Sequence, residues 1–404
     1  MTTTAKPDFL SAEFKSNPYT FYAHLREHAP VYPGPKLRGQ QAWLVTRYDD
    51  VAQVLKDGAF AKDVRNAWTL EQLKKAPWLP PPFRPLQNNL LSLDPPDHTR
   101  LRALAHQAFT PRMVERMRNQ TRTLAHELLD EMEGKGGTLD LIESFALPLP
   151  ITIIGRILGV PERDNAKFRR WTNAFVSLGS GRGVVFKMPA VLQFIRYLRG
   201  LIQQRTEVPQ DDLVSALVLA REEDASLTED EVLAMTFLLL SAGHETTVNL
   251  IASGTLALLE HPEQWRRLQE EPSLIKSGVE ELLRFVTPAE TSTERFARAD
   301  VEVAGTIISK GALVLGVIAS ANRDPRRFEN PETVDVARAD NKHLAFGQGI
   351  HYCVGAPLSR LESEVAFTAL TERLPDLRLG VPPEKLKWRS NLVLRGLKAL
   401  PVSF

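Results

Sequence analysis

The spacing of apolar residues changes character along the chain. Near the start, AWLVT (Ala42 to Thr46) reads as a strand, and the amphipathic run YDDVAQVLKD from Tyr48 reads as a helix. The proline-rich stretch from Ala76 to Leu86 is expected to be neither helix nor interior strand, because proline offers no N–H to either ladder. From about Pro95 to Phe285 a 3.6-residue period dominates, interrupted at GSGRG (Gly179 to Gly183) and at EVPQDD (Glu207 to Asp212). Strand patterning returns from Arg295 to Ser320 and, in shorter pieces, within NLVLRGLKALPV from Asn391. The pattern predicts a mainly α chain with small β-sheets. Its β-richer pieces lie at about 30–60 and 294–320, within a single domain spanning 1–404.

The longest helical pattern opens with a Thr228-x-x-Glu231 capping box and stops at His261-Pro262. That is about 30 residues, or roughly 45 Å at 1.5 Å per residue. Apolar residues occur on all its sides, which predicts a buried helix. Yet its middle reads Gly243, His244, Glu245, Thr246, Thr247. A helical glycine costs about 1 kcal/mol against alanine, and a buried carboxylate far more unless compensated. One reading is a helix bulging beside a ligand, with Gly243 permitting close approach and an acid and an alcohol supplying protons. The other is a partly exposed polar patch in which Thr246 bonds back to the preceding turn. The segment alone leaves both open.

Composition narrows the chemistry. The 404 residues are 43% hydrophobic, enough for a large core, and carry a formal net charge of +1. Charge therefore gives no reason to expect nucleic acid or an anionic membrane as partner. The N-terminus has neither a signal-type apolar region nor an anchoring run, which points to a cytoplasmic protein without a membrane anchor. One cysteine, Cys353, excludes an internal disulfide framework and every multi-cysteine metal site.

Cys353 lies in AFGQGIHYCVGAPLSR (Ala345 to Arg360), just before residues with helical spacing. A helix start favours a thiolate through its unpaired N–H groups and macrodipole. Gly347, Gly349 and Gly355 remove side chains where backbone would pass close to something flat and large. Such a thiolate is compatible with a nucleophile, a redox sensor or an axial ligand of haem iron.

The run Phe346-Gly347-x-Gly349-x-His351-x-Cys353-x-Gly355 resembles the haem-binding loop of the cytochrome P-450 monooxygenases. Three further motifs occur in that family's order. Ala242-Gly243-His244-Glu245-Thr246-Thr247 is similar to its oxygen-activating helix centre, Glu281-x-x-Arg284 to its structural pair, and DPPDHTRLR (from Asp94) to its haem-edge helix. The similarity spans about Asp94 to Gly396 and is to the soluble bacterial type.

The resemblance implies the P-450 fold, with a helical haem-binding domain, a long central helix and a minor β region. It implies haem b, with Cys353 as axial ligand of the iron and with Phe346, Gly347, Gly355, Ala242 and Gly243 around the group. His98, Arg102, Arg295 and His351 match positions where the family contacts the two propionates. Glu245 and Thr246 match the acid and alcohol pair that delivers protons to dioxygen. Arg338 fits as a third member of the Glu281–Arg284 anchor, although Val334 stands where the family usually carries an aromatic.

The implied reaction inserts one oxygen atom from O2 into a lipophilic small molecule, by hydroxylation or epoxidation. Because no Rossmann-type glycine fingerprint is present, electrons must come from separate proteins, by resemblance a ferredoxin and its reductase. Arg112, Arg116, Arg118 and Arg360 are candidates for a docking patch on a monomeric enzyme. Leu239, Ala289, Val393 and Leu394 are candidate pocket residues, and Trp78, Phe83, Leu90 and Phe175 suggest an apolar lining. Peroxide-driven or non-oxygenating haem-thiolate chemistry, and a haem sensor without turnover, are the alternatives. A cysteine hydrolase using His351 as base lacks an orienting third group.

Overall fold

The computed structural model describes residues 7–74, 80–176, 184–223 and 227–404. Helices α1 (Ala12–Ser16) and α2 (Tyr19–His28) lead into strands β1 (Val31–Leu37) and β2 (Gln40–Val45), helix α3 (Tyr48–Lys56) and strand β3 (Phe60–Ala61). After α4 (Leu70–Lys74) come α5 (Asp97–Ala108) and α6 (Pro111–Lys135), then strand β4 (Thr138–Asp140). Helices α7 (Pro148–Ile157), α8 (Asn165–Val176), α9 (Val184–Glu207), α10 (Leu213–Glu223), α11 (Glu229–Glu260), α12 (Pro262–Glu270) and α13 (Ile275–Val286) follow. Strands β5 (Arg295–Ala297), β6 (Val301–Val303), β7 (Thr306–Ile308) and β8 (Leu313–Gly316) precede α14 (Ile318–Ala321) and α15 (Ala356–Arg373). Strands β9 (Arg378–Leu379) and β10 (Pro401–Ser403) close the chain.

The two β-rich stretches meet in one sheet of order β1-β2-β8-β5-β3. Its only parallel pair joins β2 to β8, with Trp43 opposite Val314, and this registers the start of the chain against the segment after α13. Smaller sheets pair β10 with β4 and β9, and β6 with β7. Strand β4 interrupts a stretch that the periodicity reads as helical throughout; it is three residues long, too short to carry a period of its own.

Helix α11 organises the rest. The Thr228 hydroxyl accepts from the Glu231 N–H, and the Glu231 carboxylate accepts from the Thr228 N–H, so the capping box closes reciprocally. Acidic Glu229, Asp230 and Glu231 in the first turn complement the macrodipole, and Pro262 begins the next helix. Helices α7, α9, α13 and α15 all pack against α11. The last crossing is tight enough that a side chain on Gly254 would meet Phe367 at 2.8 Å.

One expectation needs correction, and one open alternative is resolved. Residues Pro81–Gln87 form a 3-10 helix packed on α11, because Pro81 and Pro82 occupy opening positions where no N–H is required. Helix α11 also remains α-helical through its centre, without a bulge. The interruption expected at 179–183 lies outside the described residues.

Behind the sheet, Glu281 and Arg284 form a fully buried pair at 2.7 and 2.8 Å. Arg338 Nε, Asn341 Nδ2 and the Asp335 N–H also donate to Glu281. Arg284 donates to the carbonyls of Asn322, Pro331 and Thr333. Val334 is buried at 4% exposure, so the smaller side chain leaves the packing closed there. Replacing Glu281 by Gln leaves a buried guanidinium without its counter-charge and should cost about 3–5 kcal/mol in denaturant unfolding. A loss under about 1 kcal/mol would contradict a load shared through this carboxylate.

Candidate active site at the cysteine loop

The loop before α15 is shaped by its glycines and its own backbone. Gly347 and Gly349 adopt φ of 71° and 73°, a region that favours glycine. A side chain on Gly349 would stand 3.0 Å from the Cα of Lys56, so here glycine is required by the protein's own α3. The Cys353 N–H donates to the Phe346 carbonyl at 2.9 Å, folding the loop back beneath the Phe346 ring, over which the Arg360 guanidinium stacks at 4.5 Å. Gly355 caps α15, and the N–H groups of Gly355 and Ala356 donate toward the cysteine sulfur. Burial pushes the Cys353 thiol up, against the pull of these N–H groups and of the Arg102 guanidinium. Cys353 is nonetheless exposed, which places it at the floor of a recess.

The centre of α11 packs beside the first turns of α15, where the Thr247 hydroxyl donates to the Ser359 hydroxyl at 3.1 Å. Most of the helix is buried, yet Ala242 is exposed and Leu238, Leu239, Gly243 and Thr246 are half-buried. Leu239, Ala242 and Thr246 follow the i, i+3, i+7 spacing of one helical face, so the uncovered part is a strip. The Thr246 hydroxyl donates to the Ala242 carbonyl at 3.2 Å, the back-bonded arrangement of the second sequence reading. An added side chain on Gly243 would meet Ile154 of α7 at 3.2 Å, so packing against α7 is one reason for glycine there.

Glu245 points away from the strip. It is 2% exposed, and Arg389 Nη1 donates to its carboxylate at 2.7 Å. Arg389 is a partner that sequence patterning did not single out, because it lies in a hairpin of irregular backbone far along the chain. His244 is fully buried, with Nδ1 2.8 Å from the Leu240 carbonyl, and burial pushes its pKa down.

At the other edge of the recess the structure gathers basic side chains. The rings of His98 and His351 stand 4.2 Å apart, and Arg102, Arg295 and Lys62 lie close enough to influence them. Burial and the neighbouring Arg295, His98, Lys62 and Arg102 lower the His351 pKa to about 2. Burial, then Arg295, lowers Lys62 to about 7, and burial lowers Arg295 to about 10. His98 Nε2, His351 Nε2 and Arg295 Nε are buried and have no hydrogen-bond partner. The nearby Asp94 is already engaged by the N–H groups of Lys62 and Asp63, by Asn66 and by Arg298. Such a cluster is strained until an anion enters it. Lys62 is a second residue missed from sequence; FAKD carries no motif to mark it.

The remaining candidates divide. Ala289 and Leu394 form an antiparallel bridge, and the Thr291 N–H donates to the Val393 carbonyl at 3.3 Å, so these pocket candidates form one wall. Phe83 and Leu90 are 6% exposed and belong to the main hydrophobic core, so they do not line a pocket. Trp78 and the Phe175 side chain lie outside the described residues. Of the basic candidates, Arg118 pairs with Glu115 and Glu364 and Arg360 with Glu280, whereas Arg112 and Arg116 are exposed.

A lone thiol at a helix start, a mostly apolar uncovered strip with one hydroxyl on the neighbouring helix, and an anion-seeking rim are what a flat, dianionic, iron-bearing group requires; together they define a haem-thiolate oxidoreductase. The comparisons agree. A family model for cytochrome P450 matches residues 9–390. The polyketide biosynthesis cytochrome P450 PksS of Bacillus subtilis (strain 168) is 44% identical over 394 residues, covering 97% of this chain and 96% of that protein. The mycinamicin IV hydroxylase/epoxidase of Micromonospora griseorubida is 42% identical, covering 94% of each. The crystal structure of the myxobacterial cytochrome P450 CYP267B1 with myristic acid superposes with a TM-score of 0.92 at 39% identity, covering 99% of each chain. The chain belongs to the cytochrome P450 family, and with it come haem b bound through a cysteine thiolate, a redox partner, O2 and monooxygenase activity on lipophilic substrates. Among the described residues no helix is long and apolar enough to cross a membrane.

One buried group on α15 tests the electrostatics of this region. Glu362 is fully buried, with no cation beside it and no hydrogen-bond partner on either carboxylate oxygen, and burial pushes its pKa well up. A raised folded pKa means that its stabilising contribution is complete below the unfolded value of about 4.3 and is lost as pH rises toward the folded one. Denaturant midpoints should therefore show Glu362→Gln gaining on wild type as pH rises above about 5. A pH-independent difference would contradict a neutral Glu362.

Proposed function

We propose that Cys353, the only cysteine, supplies the thiolate, and that the enzyme oxygenates a polyketide-like or fatty-acyl molecule lying beneath the Leu239–Ala242–Thr246 strip. The observation that carries this reading is the strip itself, the uncovered part of an otherwise buried helix. The substrate class is supported by one relative's place in polyketide biosynthesis, by another's action on mycinamicin IV and by the myristic acid bound to the structural neighbour. Haem b, when bound, supplies dioxygen activation and oxygen insertion.

The protein's own residues do the rest. His98, Arg102, Arg295 and His351, with Lys62, would hold the propionates, which supply the anions that this rim lacks. The N–H groups of Gly355 and Ala356, which donate toward Cys353 Sγ, would favour its thiolate form once iron is bound. Thr246 Oγ1 passes a proton into the pocket, and Glu245, once it leaves Arg389 and takes a proton from solvent, returns one to Thr246. Leu239, Ala289, Val393 and Leu394 exclude water and orient the substrate. Electrons come from a ferredoxin and its reductase, docking on the Cys353 side of a monomeric, single-domain cytoplasmic enzyme near Arg112 and Arg116.

With myristic acid or a macrolide aglycone as substrate and surrogate redox proteins, wild type should couple electron input to product. Thr246→Ala should still bind substrate but lose product per reducing equivalent by about tenfold or more, with matching peroxide release. Unchanged coupling would remove Thr246 from the proton path.

A further inference from the structure

The pocket wall is tied to the beginning of the chain by charges buried far from solvent. Lys15, in the last turn of α1, is 1% exposed, and its Nζ donates to Glu290 Oε2 at 2.5 Å. Tyr22 of α2 is 2% exposed and donates through its hydroxyl to Glu290 Oε1 at 2.5 Å. Glu290 is itself fully buried. Its flanking residues are those of the wall: Ala289 bridges to Leu394, and the Thr291 N–H donates to the Val393 carbonyl. Neighbouring side chains on extended backbone point to opposite sides. Glu290 therefore reaches back into α1 and α2, while half-buried Ala289 lies on the other side.

The opposite half of the wall, in residues 388–395, has the same attachment. Arg395 stacks over Trp388 at 3.6 Å and faces Tyr19 at 5.2 Å. Its Nη2 donates to the Ser16 carbonyl and its backbone N–H to the Pro288 carbonyl. Ser390 donates to the Leu10 carbonyl at 2.8 Å. Both halves of the wall thus rest on residues 10–22.

An apolar plug would cover this wall at least as stably, because a buried ion pair loses much of its Coulomb energy to desolvation. What a desolvated pair with an added hydroxyl donor does provide is a single geometry. We propose that Lys15, Tyr22 and Glu290 are positioning residues that set the spacing between Ala289 and Leu394, and through it which bulky lipophilic molecules the pocket accepts. This rests on the reading of that wall as part of the substrate pocket.

The test uses full-length, haem-loaded protein and two azoles that ligate iron, titrated by the Soret shift. Imidazole reads the iron alone; clotrimazole also fills the pocket. Lys15→Met leaves the Glu290 charge buried and unpaired, and should weaken clotrimazole binding about tenfold while imidazole stays within about twofold. The double variant Lys15→Met, Glu290→Gln removes both charges and should recover most of that loss. If Lys15→Met fails to load haem, Tyr22→Phe decides, with a shift of about threefold for clotrimazole alone. Folded variants that bind both azoles as wild type does, or lose both equally, would overturn the positioning role. Wild type that binds imidazole but not clotrimazole would instead overturn the reading of the wall as substrate pocket, and the proposal with it.

Discussion

Everything in this molecule is arranged around a 32-residue helix that cannot be left in water. Helix α11 is apolar over its whole circumference, so α7, α9, α13, α15 and the 3-10 segment Pro81–Gln87 are all drawn onto it. Close approach is written into the glycines: Gly243 makes room for Ile154, and Gly254 for Phe367. The site is the short strip where that cover stops. It is defined less by any special local conformation, since the helix stays regular, than by what does not pack there.

Polar groups in the interior fall into two kinds, and the contrast separates scaffold from site. Glu281 is saturated, accepting from Arg284, Arg338, Asn341 and the Asp335 backbone, and its removal would disturb the fold. The rim of the recess is the reverse. His98, His351 and Arg295 keep buried nitrogens without partners, and mutual repulsion and burial together hold the pKa of His351 and Lys62 far below ordinary values. Native interiors seldom tolerate such groups unless something that is not protein completes them.

How much of this was legible in the sequence follows from the range of each interaction. The capping box of α11, the cysteine loop and the Glu281–Arg284 pair are local patterns of a few residues, and each is present in the fold. The pairing of β2 with β8 was not readable, because register between segments so distant is set by packing. For the same reason Arg389 as partner of Glu245, Lys62 in the cationic rim and Lys15 beneath Glu290 carried no signal: each is one basic residue in an unremarkable stretch. The packing of Gly243 against Ile154 of α7 was unreadable for the same reason.

The central claim is that a single thiolate, Cys353, holds haem iron at the floor of this recess. The most direct measurement is the absorption spectrum of the purified, reduced protein under carbon monoxide, for wild type and Cys353→Ser. Thiolate donation predicts a strongly red-shifted Soret band in wild type that the serine variant lacks. A haem-loaded wild type with only the ordinary carbon monoxide band, or a shifted band that survives in Cys353→Ser, would contradict it.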